Sequence, residues 1–448
     1  MQNRIYLRCL VAILAILTPY MASAQLGSIN TYSPYSMYGM GELQTQGTIA
    51  TRSMGGAGIA LRSMDNINLL NPASYSIAVP KGVLFNFGVE GTSYFSSQVS
   101  AESGEMGHSS YTTANFRDIA LQIPIAKGMG IGISVAPYSS VGYELSDAVL
   151  LSSIGYISTD YMGQGDVTEV KVGYGWQIAP RLSLGVAARY YWGSIERYFQ
   201  INITNITGDG SYNSALGVST YSCSSIKGQV GLQWTAYERD KKQLILGATY
   251  DFGGDLSPRY THKVIGSNDL TTTVARGDTT TLELIMPRQL AAGVGYQSPK
   301  LNLALDYEYQ NWGEGNTQVE LATTGLEIGY NNVSTIRAGI EYTPNRMDIR
   351  KYMRRVSYRA GARYGNYYQS FGGQTLYKYA ATAGLGMPTK AGGVSKIDLG
   401  LEWGMIGTTD IVVVESESIG LIRQNYIKFS LGLTIFGNDY WFQRPKFD

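Results

Sequence analysis

The sequence predicts an all-β fold, a transmembrane antiparallel β-barrel of about fourteen strands with an N-terminal plug inside the lumen. Three observations predict it. From about Gly82 onward, apolar and polar residues alternate with period two in segments bounded by turn chemistry, the mark of a strand with two unlike faces. Short and long connections alternate along the chain. Finally, only 15% of the 448 residues are charged, against 12% aromatic residues and 54 glycines, where a soluble domain carries roughly a quarter charged residues. The formal net charge of +1 offers no basic face for nucleic acid. After residue 24 no segment approaches the ~20 apolar residues of a spanning helix, which excludes a helical membrane protein, and the apolar content excludes a disordered chain.

Residues 1–24 read as a signal peptide. Arg4 and Arg8 precede the apolar run Leu10–Leu17, and Ala22-Ser23-Ala24 forms a small-residue cleavage site, so the mature chain is expected to begin near Gln25 in the exported protein. Cys9 leaves with the signal. Cys223 then has no partner for a disulfide, and with His108 and His262 it cannot make a metal site, so no cofactor or metal is expected.

Fourteen alternating segments are centred near residues 90, 120, 135, 172, 190, 230, 250, 290, 306, 338, 362, 382, 400 and 431, assigning 82–437 to the barrel and 438–448 to a periplasmic tail. In one of them Leu301, Leu303, Leu305, Tyr307 and Tyr309 share one face, and Asn302, Ala304, Asp306, Glu308 and Gln310 the other. Short links fall at 126–129, 179–181, 298–300 and 387–389, with long polar ones near 99–111, 147–165, 203–221, 258–281 and 408–424. Short turns on one rim and long loops on the other are how outer-membrane barrels are built, placing the turns in the periplasm. Pro180, Pro299, Pro344 and Pro388 fall at strand ends. The apolar stripe must face lipid, and Tyr190, Tyr191, Trp192, Tyr307, Tyr309, Trp312, Tyr364, Tyr367 and Tyr368 read as interfacial girdles.

The polar stripe then lines the lumen and carries Asp306, Glu308, Arg337, Glu341, Arg359, Arg363, Asp398, Glu402 and Lys428, besides Glu169, Lys171, Arg189 and Lys227. Neighbouring strands differ in sign, which predicts ion pairs across a filled interior. Residues 25–81 can fill it. They have no clean period yet hold many apolar residues, so they read as a plug or hatch. Gly55, Gly56 and Gly58 would bring its backbone close to the wall, and Gly39 and Gly41 are counted with them as plug residues. Arg52 or Arg62 would pair with Asp306, Glu308 or Glu402. The Gly55–Gly58 run lacks the flanking strand, helix and Lys-Ser/Thr of a phosphate cradle.

The turn Gly39–Gly41, the Gly/Ala-rich stretch Gly55–Ala60 and Asn71-Pro72-Ala73 just before the first strand together resemble the FadL/OmpP1/TodX family of outer-membrane proteins. Ser33-Pro34-Tyr35 and the aromatic tail 438–442 are similar to its Bacteroidetes branch. The resemblance implies a fourteen-stranded barrel in the bacterial outer membrane that passes hydrophobic compounds such as long-chain fatty acids through a kinked wall strand. The hatch would be the gate, with Asn71, Pro72 and Ala73 in it. Other members imply an alternative, a non-transporting subunit of an outer-membrane assembly or secretion complex. The apolar loop residues Val149–Leu151, Ile154 and Ile411–Val414 fit the first reading. Arg346, Arg350, Lys351, Arg354 and Arg355 in one periplasmic turn fit the second, as a docking site for an acidic partner or lipid phosphates. An enzyme is not expected, because no base stands near a nucleophile in any recognisable pattern.

Overall fold

Alternation in the chain becomes a closed wall of fourteen antiparallel strands in the computed structural model. It describes residues 30–77, 82–101, 103–151, 155–205, 215–256, 258–266, 273–276, 280–281, 285–314, 328–390, 393–414 and 417–438. In order the strands are β1 (Gly82–Val99), β2 (Met106–Ala126), β3 (Met129–Leu151), β4 (Gly155–Ala179), β5 (Leu182–Asn205), β6 (Ala215–Arg239) and β7 (Lys242–Asp251). They continue with β8 (Gln289–Gln297), β9 (Leu301–Gln310), β10 (Val333–Tyr342), β11 (Ser357–Phe371), β12 (Gln374–Pro388), β13 (Lys396–Ile406) and β14 (Ile422–Asn438). Each pairs with the next, and β14 closes on β1 from Gly82↔Asn438 to Gln98↔Ile422. All fourteen expected centres fall inside these strands. The expected signal peptide, and the tail beyond Asn438, lie outside the described residues.

The two faces of the wall separate as the pattern requires. On β9, Leu303, Leu305 and Tyr307 are exposed on the outside, while Ala304, Asp306 and Glu308 are buried inside. Several stretches expected as long loops are strand instead. β3 and β4 run up as a hairpin to Leu151↔Gly155, and Arg259–Gly266 continues the wall beside Ala215–Ser222 of β6. Above the lipid a ladder needs no apolar face, so the period-two signal fades while pairing persists.

Of the residues expected in girdles, Tyr190, Trp192, Tyr307 and Tyr364 are exposed and Tyr309 is half-buried, whereas Tyr191, Trp312, Tyr367 and Tyr368 are buried and cannot face lipid. The ladder between β11 and β12 shifts register between Asn366 and Ser370. That break in alternation lets the consecutive Tyr367 and Tyr368 both turn inward. With Tyr35, Met40, Trp312 and Phe371 they form an apolar core within one end of the barrel.

Candidate functional site: the N-terminal segment and an open seam

Residues 30–77 contact wall strands that lie far apart in the ladder order, among them β6, β9 and β12. Asn71 opens a short 3-10 turn, Pro72–Ser76, its side chain accepting from the Ala73 N–H (3.0 Å) and donating to Ile59 O (3.0 Å) and Leu232 O on β6 (3.1 Å). The wall makes room by omitting side chains. A Cβ on Gly185 would lie 2.3 Å from Ala73 N and Pro72 C, and one on Gly231 2.2 Å from the Asn71 side-chain oxygen. Across the lumen, Gly361 receives Gly55 in the same way, its Cβ position 2.2 Å from Gly55 N. Much of the glycine excess is therefore a mould for the N-terminal segment. The segment's own Gly39, Gly41, Gly55 and Gly56 adopt positive φ, but the close approach depends as much on glycines of the wall.

Charged side chains bind the segment to the wall, though not in the expected pairs. Asp306 takes no arginine; one of its oxygens accepts the backbone N–H groups of Gly58 (2.6 Å) and Ile59 (2.9 Å). Arg52 pairs with the buried Glu90 on β1 rather than with Asp306, Glu308 or Glu402. Arg62 meets no carboxylate and donates to Gln233 Oε1 (3.1 Å) and its carbonyl (3.0 Å); burial, only partly countered by Glu238, draws its guanidinium down to about 10. Glu42 pairs with Lys378 at 2.8 Å. Asp65 lies between Arg346 (3.1 Å) and Lys396 (3.9 Å). Burial opposes its ionisation, but the two cations outweigh burial and hold it well below the usual carboxylate range.

Within the wall, some ion pairs join neighbouring strands and others span two. Arg337 binds Glu308 (2.7 Å) and Arg359 binds Glu341 (2.6 Å). Arg359 also reaches Asp398 (2.5 Å), and Arg363 reaches Glu402 (3.0 Å), each passing over β12 from β11 to β13. Small β12 residues make room beneath them: a Cβ on Gly386 would lie 2.7 Å from an Arg359 guanidinium nitrogen, and Ala380 stands opposite Arg363. Lys428 sits directly opposite Glu402 in the ladder yet pairs with Glu90 at 3.5 Å. Lys227 is not part of the lattice and donates to Asp255 O (2.7 Å). A cavity of about 150 Å³ remains between Leu43–Gln46 and the wall, bordered by Glu169, Lys171, Arg189, Glu308 and Arg337.

Among the described residues, two neighbouring strands of the wall part company along much of their length. β2 and β3 pair from Ala126↔Met129 only as far as Ile119↔Val135. Beyond that point β2 runs on to Met106 paired with β1 alone, and β3 runs on paired with β4. Irregularities sit on both lips. The β1/β2 ladder shifts at Gly88/Val89, which buries both Arg117 and Asp118, and the β3/β4 ladder shifts between Pro137 and Ser139.

The N-terminal segment lies in this seam. Glu42 and Leu43 pair with Ser140 and Ser139 of β3 as a short added strand. Ser33 N–H donates to Gly142 O (2.8 Å) and Gln44 N–H to Tyr138 O (2.9 Å). On the other lip, Tyr32 stacks on Tyr111 at 4.5 Å and Arg117 donates to Gln44 Oε1 (3.0 Å). A second cavity, about 160 Å³, lies here, lined by Asn30, Glu90, Asn115, Arg117, Asp166 and Lys428 among others. Residues 30–45 thus contact the seam, whereas Asn71-Pro72-Ala73 is anchored against β5 and β6. Sequence reasoning missed the seam residues; Pro137, a proline well inside a strand, was the available signal.

A closed fourteen-stranded antiparallel wall with an unpaired stretch between two neighbouring strands gives this molecule the fold of outer-membrane channels. Similar solved structures are a Pseudomonas aeruginosa FadL homologue (TM-score 0.61, 13% identity, 89% of this chain and 99% of that one) and the P. putida toluene transporter TodX (0.53, 16%, 89% and 99%). The Ralstonia pickettii toluene transporter TbuX is a third (0.53, 15%, 88% and 98%). The chain belongs to the BamG family, whose model matches residues 6–448. The FadL/TodX resemblance is thus one of fold, and the family is a different one. No curated protein matches the sequence.

Proposed function

We propose that this protein is an outer-membrane barrel through whose side wall hydrophobic compounds pass toward the bilayer, with the N-terminal segment as the gate. The single observation that carries this reading is the seam between β2 and β3. A barrel normally pairs every strand along its height, because unpaired backbone in hydrocarbon costs several kcal/mol per group; an opening filled by a separate segment is a doorway that the segment can vacate. Two of the similar structures are toluene transporters, which supports the same substrate class. Residues 25–81 then act as the plug.

The test is a reversible lock. Leu43 and Ser139 face each other in an antiparallel ladder, a spacing of about 4.5–5.5 Å between Cα atoms that suits a disulfide. In cells carrying Leu43→Cys with Ser139→Cys, uptake of labelled fatty acids and alkanes should stop under oxidation and recover with reductant. Uptake that ignores the lock, or is unchanged by deletion of the gene, refutes the reading.

A second reading, a non-transporting subunit of an outer-membrane protein-assembly or secretion complex, is favoured by the chemistry of the seam. Its lining of Glu90, Arg117, Asp166 and Lys428 is poorly suited to greasy cargo. Membership in the BamG family accords with it. Deletion would then lower the level of other outer-membrane proteins and leave uptake of hydrophobic compounds unchanged.

A further inference from the structure

The turn joining β10 to β11 is the longest of the described links on the short-turn rim, and it is built rather than slack. Asp348 accepts the N–H groups of Arg350 (2.9 Å) and Lys351 (2.8 Å), and Asn345 N–H donates to Arg354 O (2.7 Å). This frame holds three apolar side chains out of the protein. Ile349 is 85% exposed, Met347 71% and Met353 61%, which makes Ile349 the most exposed large hydrophobic residue among the described residues.

The five cations of the turn divide into two groups. Arg346 turns to Asp65 in the N-terminal segment, Arg354 pairs with Asp348 (3.5 Å), and Arg355 lies over the Tyr352 ring (4.9 Å). Arg350 and Lys351 have no ion pair among the described residues and lie between the exposed Ile349 and Met353. Cations interleaved with apolar side chains on a rigid turn match a bilayer interface, where the apolar groups enter the acyl region and the cations stay at the phosphates. The surface beside the turn is already a lipid-facing wall. β10 ends at the outward Ile340 and Tyr342, and the same rim carries the exposed Trp176, Trp234 and Tyr237.

We infer that this turn is a phospholipid-binding anchor: Ile349, Met347 and Met353 insert into the adjoining leaflet while Arg350 and Lys351 bind phospholipid phosphates. This anchor acts whatever the barrel passes or assembles with.

The test uses the full-length barrel in phosphatidylglycerol nanodiscs, with a nitroxide on Ile349→Cys in a Cys223→Ser background. Power saturation should show the label several-fold more accessible to oxygen than to a nickel chelate. Arg350→Glu with Lys351→Glu should reverse that ratio, while heat-modifiable mobility on gels confirms that each variant is folded. If Ile349→Cys does not fold, Met347→Cys carries the label.

A label open to the nickel chelate in the parent protein overturns the proposal. So does insensitivity to the charge reversal, which would leave apolar insertion without phosphate recognition. Inorganic phosphate added to the detergent-solubilised protein should not change the label's mobility; a response matching that to phosphatidylglycerol would assign the site to free phosphate. Shielding from both reagents in native membranes would assign it to a protein partner. Either outcome overturns the leaflet assignment.

Discussion

Gly185→Ala tests whether the wall is a mould for the N-terminal segment. The new Cβ would sit 2.3 Å from both Ala73 N and Pro72 C, backbone atoms with no rotamer to move out of the way. Ordinary contact begins near 3.4 Å, so the Pro72–Ser76 turn or β5 must shift by about 1 Å. Overpacking of this kind costs about 1–3 kcal/mol. At 1.4 kcal/mol per tenfold, the undocked population of the segment should rise by roughly 5- to 150-fold. Native-state hydrogen exchange in detergent reads this directly, as faster exchange of amides between 58 and 77 while the β9–β14 amides keep their protection. Gly437→Ala, on the same barrel with nothing within 4 Å of its new Cβ, is the control. Exchange in the Gly185→Ala protein equal to that of the control would refute the mould.

Three further outcomes follow from the same geometry. Asp306→Ala removes the acceptor of two backbone N–H groups and should loosen the Gly58–Ile59 stretch by about 2–4 kcal/mol, whereas Asp306→Asn, which keeps an acceptor, should cost less; equal effects on exchange at 55–61 would contradict the assignment. Arg363→Ala leaves Glu402 buried without its bidentate partner and should destabilise the barrel by about 3–5 kcal/mol, read as a lowered temperature of heat-modifiability; an unchanged midpoint would show that the lattice is not stabilising. Asp65 has a folded pKa below its free value near 3.8, so its contribution is complete above that value and is lost as pH falls through the folded one. Docking around residues 61–66 should therefore weaken on acidification below about pH 4, and protease sensitivity there that rises toward alkaline pH would contradict the sign.

How much of this was legible depended on whether a feature is local. Leu303, Leu305 and Tyr307 must meet lipid whatever their neighbours do, so the strands and their faces could be read one at a time. Ion-pair partners could not, because they depend on register between strands. Arg363 reaches Glu402 across an intervening strand only because β12 is small beneath it, and Arg52 finds Glu90, a residue whose strand reads as merely alternating. Tyr367 and Tyr368 escaped because a register shift, invisible in the pattern, cancels the alternation. The seam is the extreme case. It is the absence of pairing between β2 and β3, two segments that each look like ordinary strands, and only Pro137 and the extra residue at Arg117 mark it.

Electron cryo-microscopy of the protein in lipid nanodiscs would image the seam itself. The map should show a closed fourteen-stranded barrel whose β2 and β3 separate beyond Ile119 and Val135, with residues 30–45 seated between them. A continuous β2–β3 ladder up to Met106, or a gap with the N-terminal segment elsewhere, would contradict it.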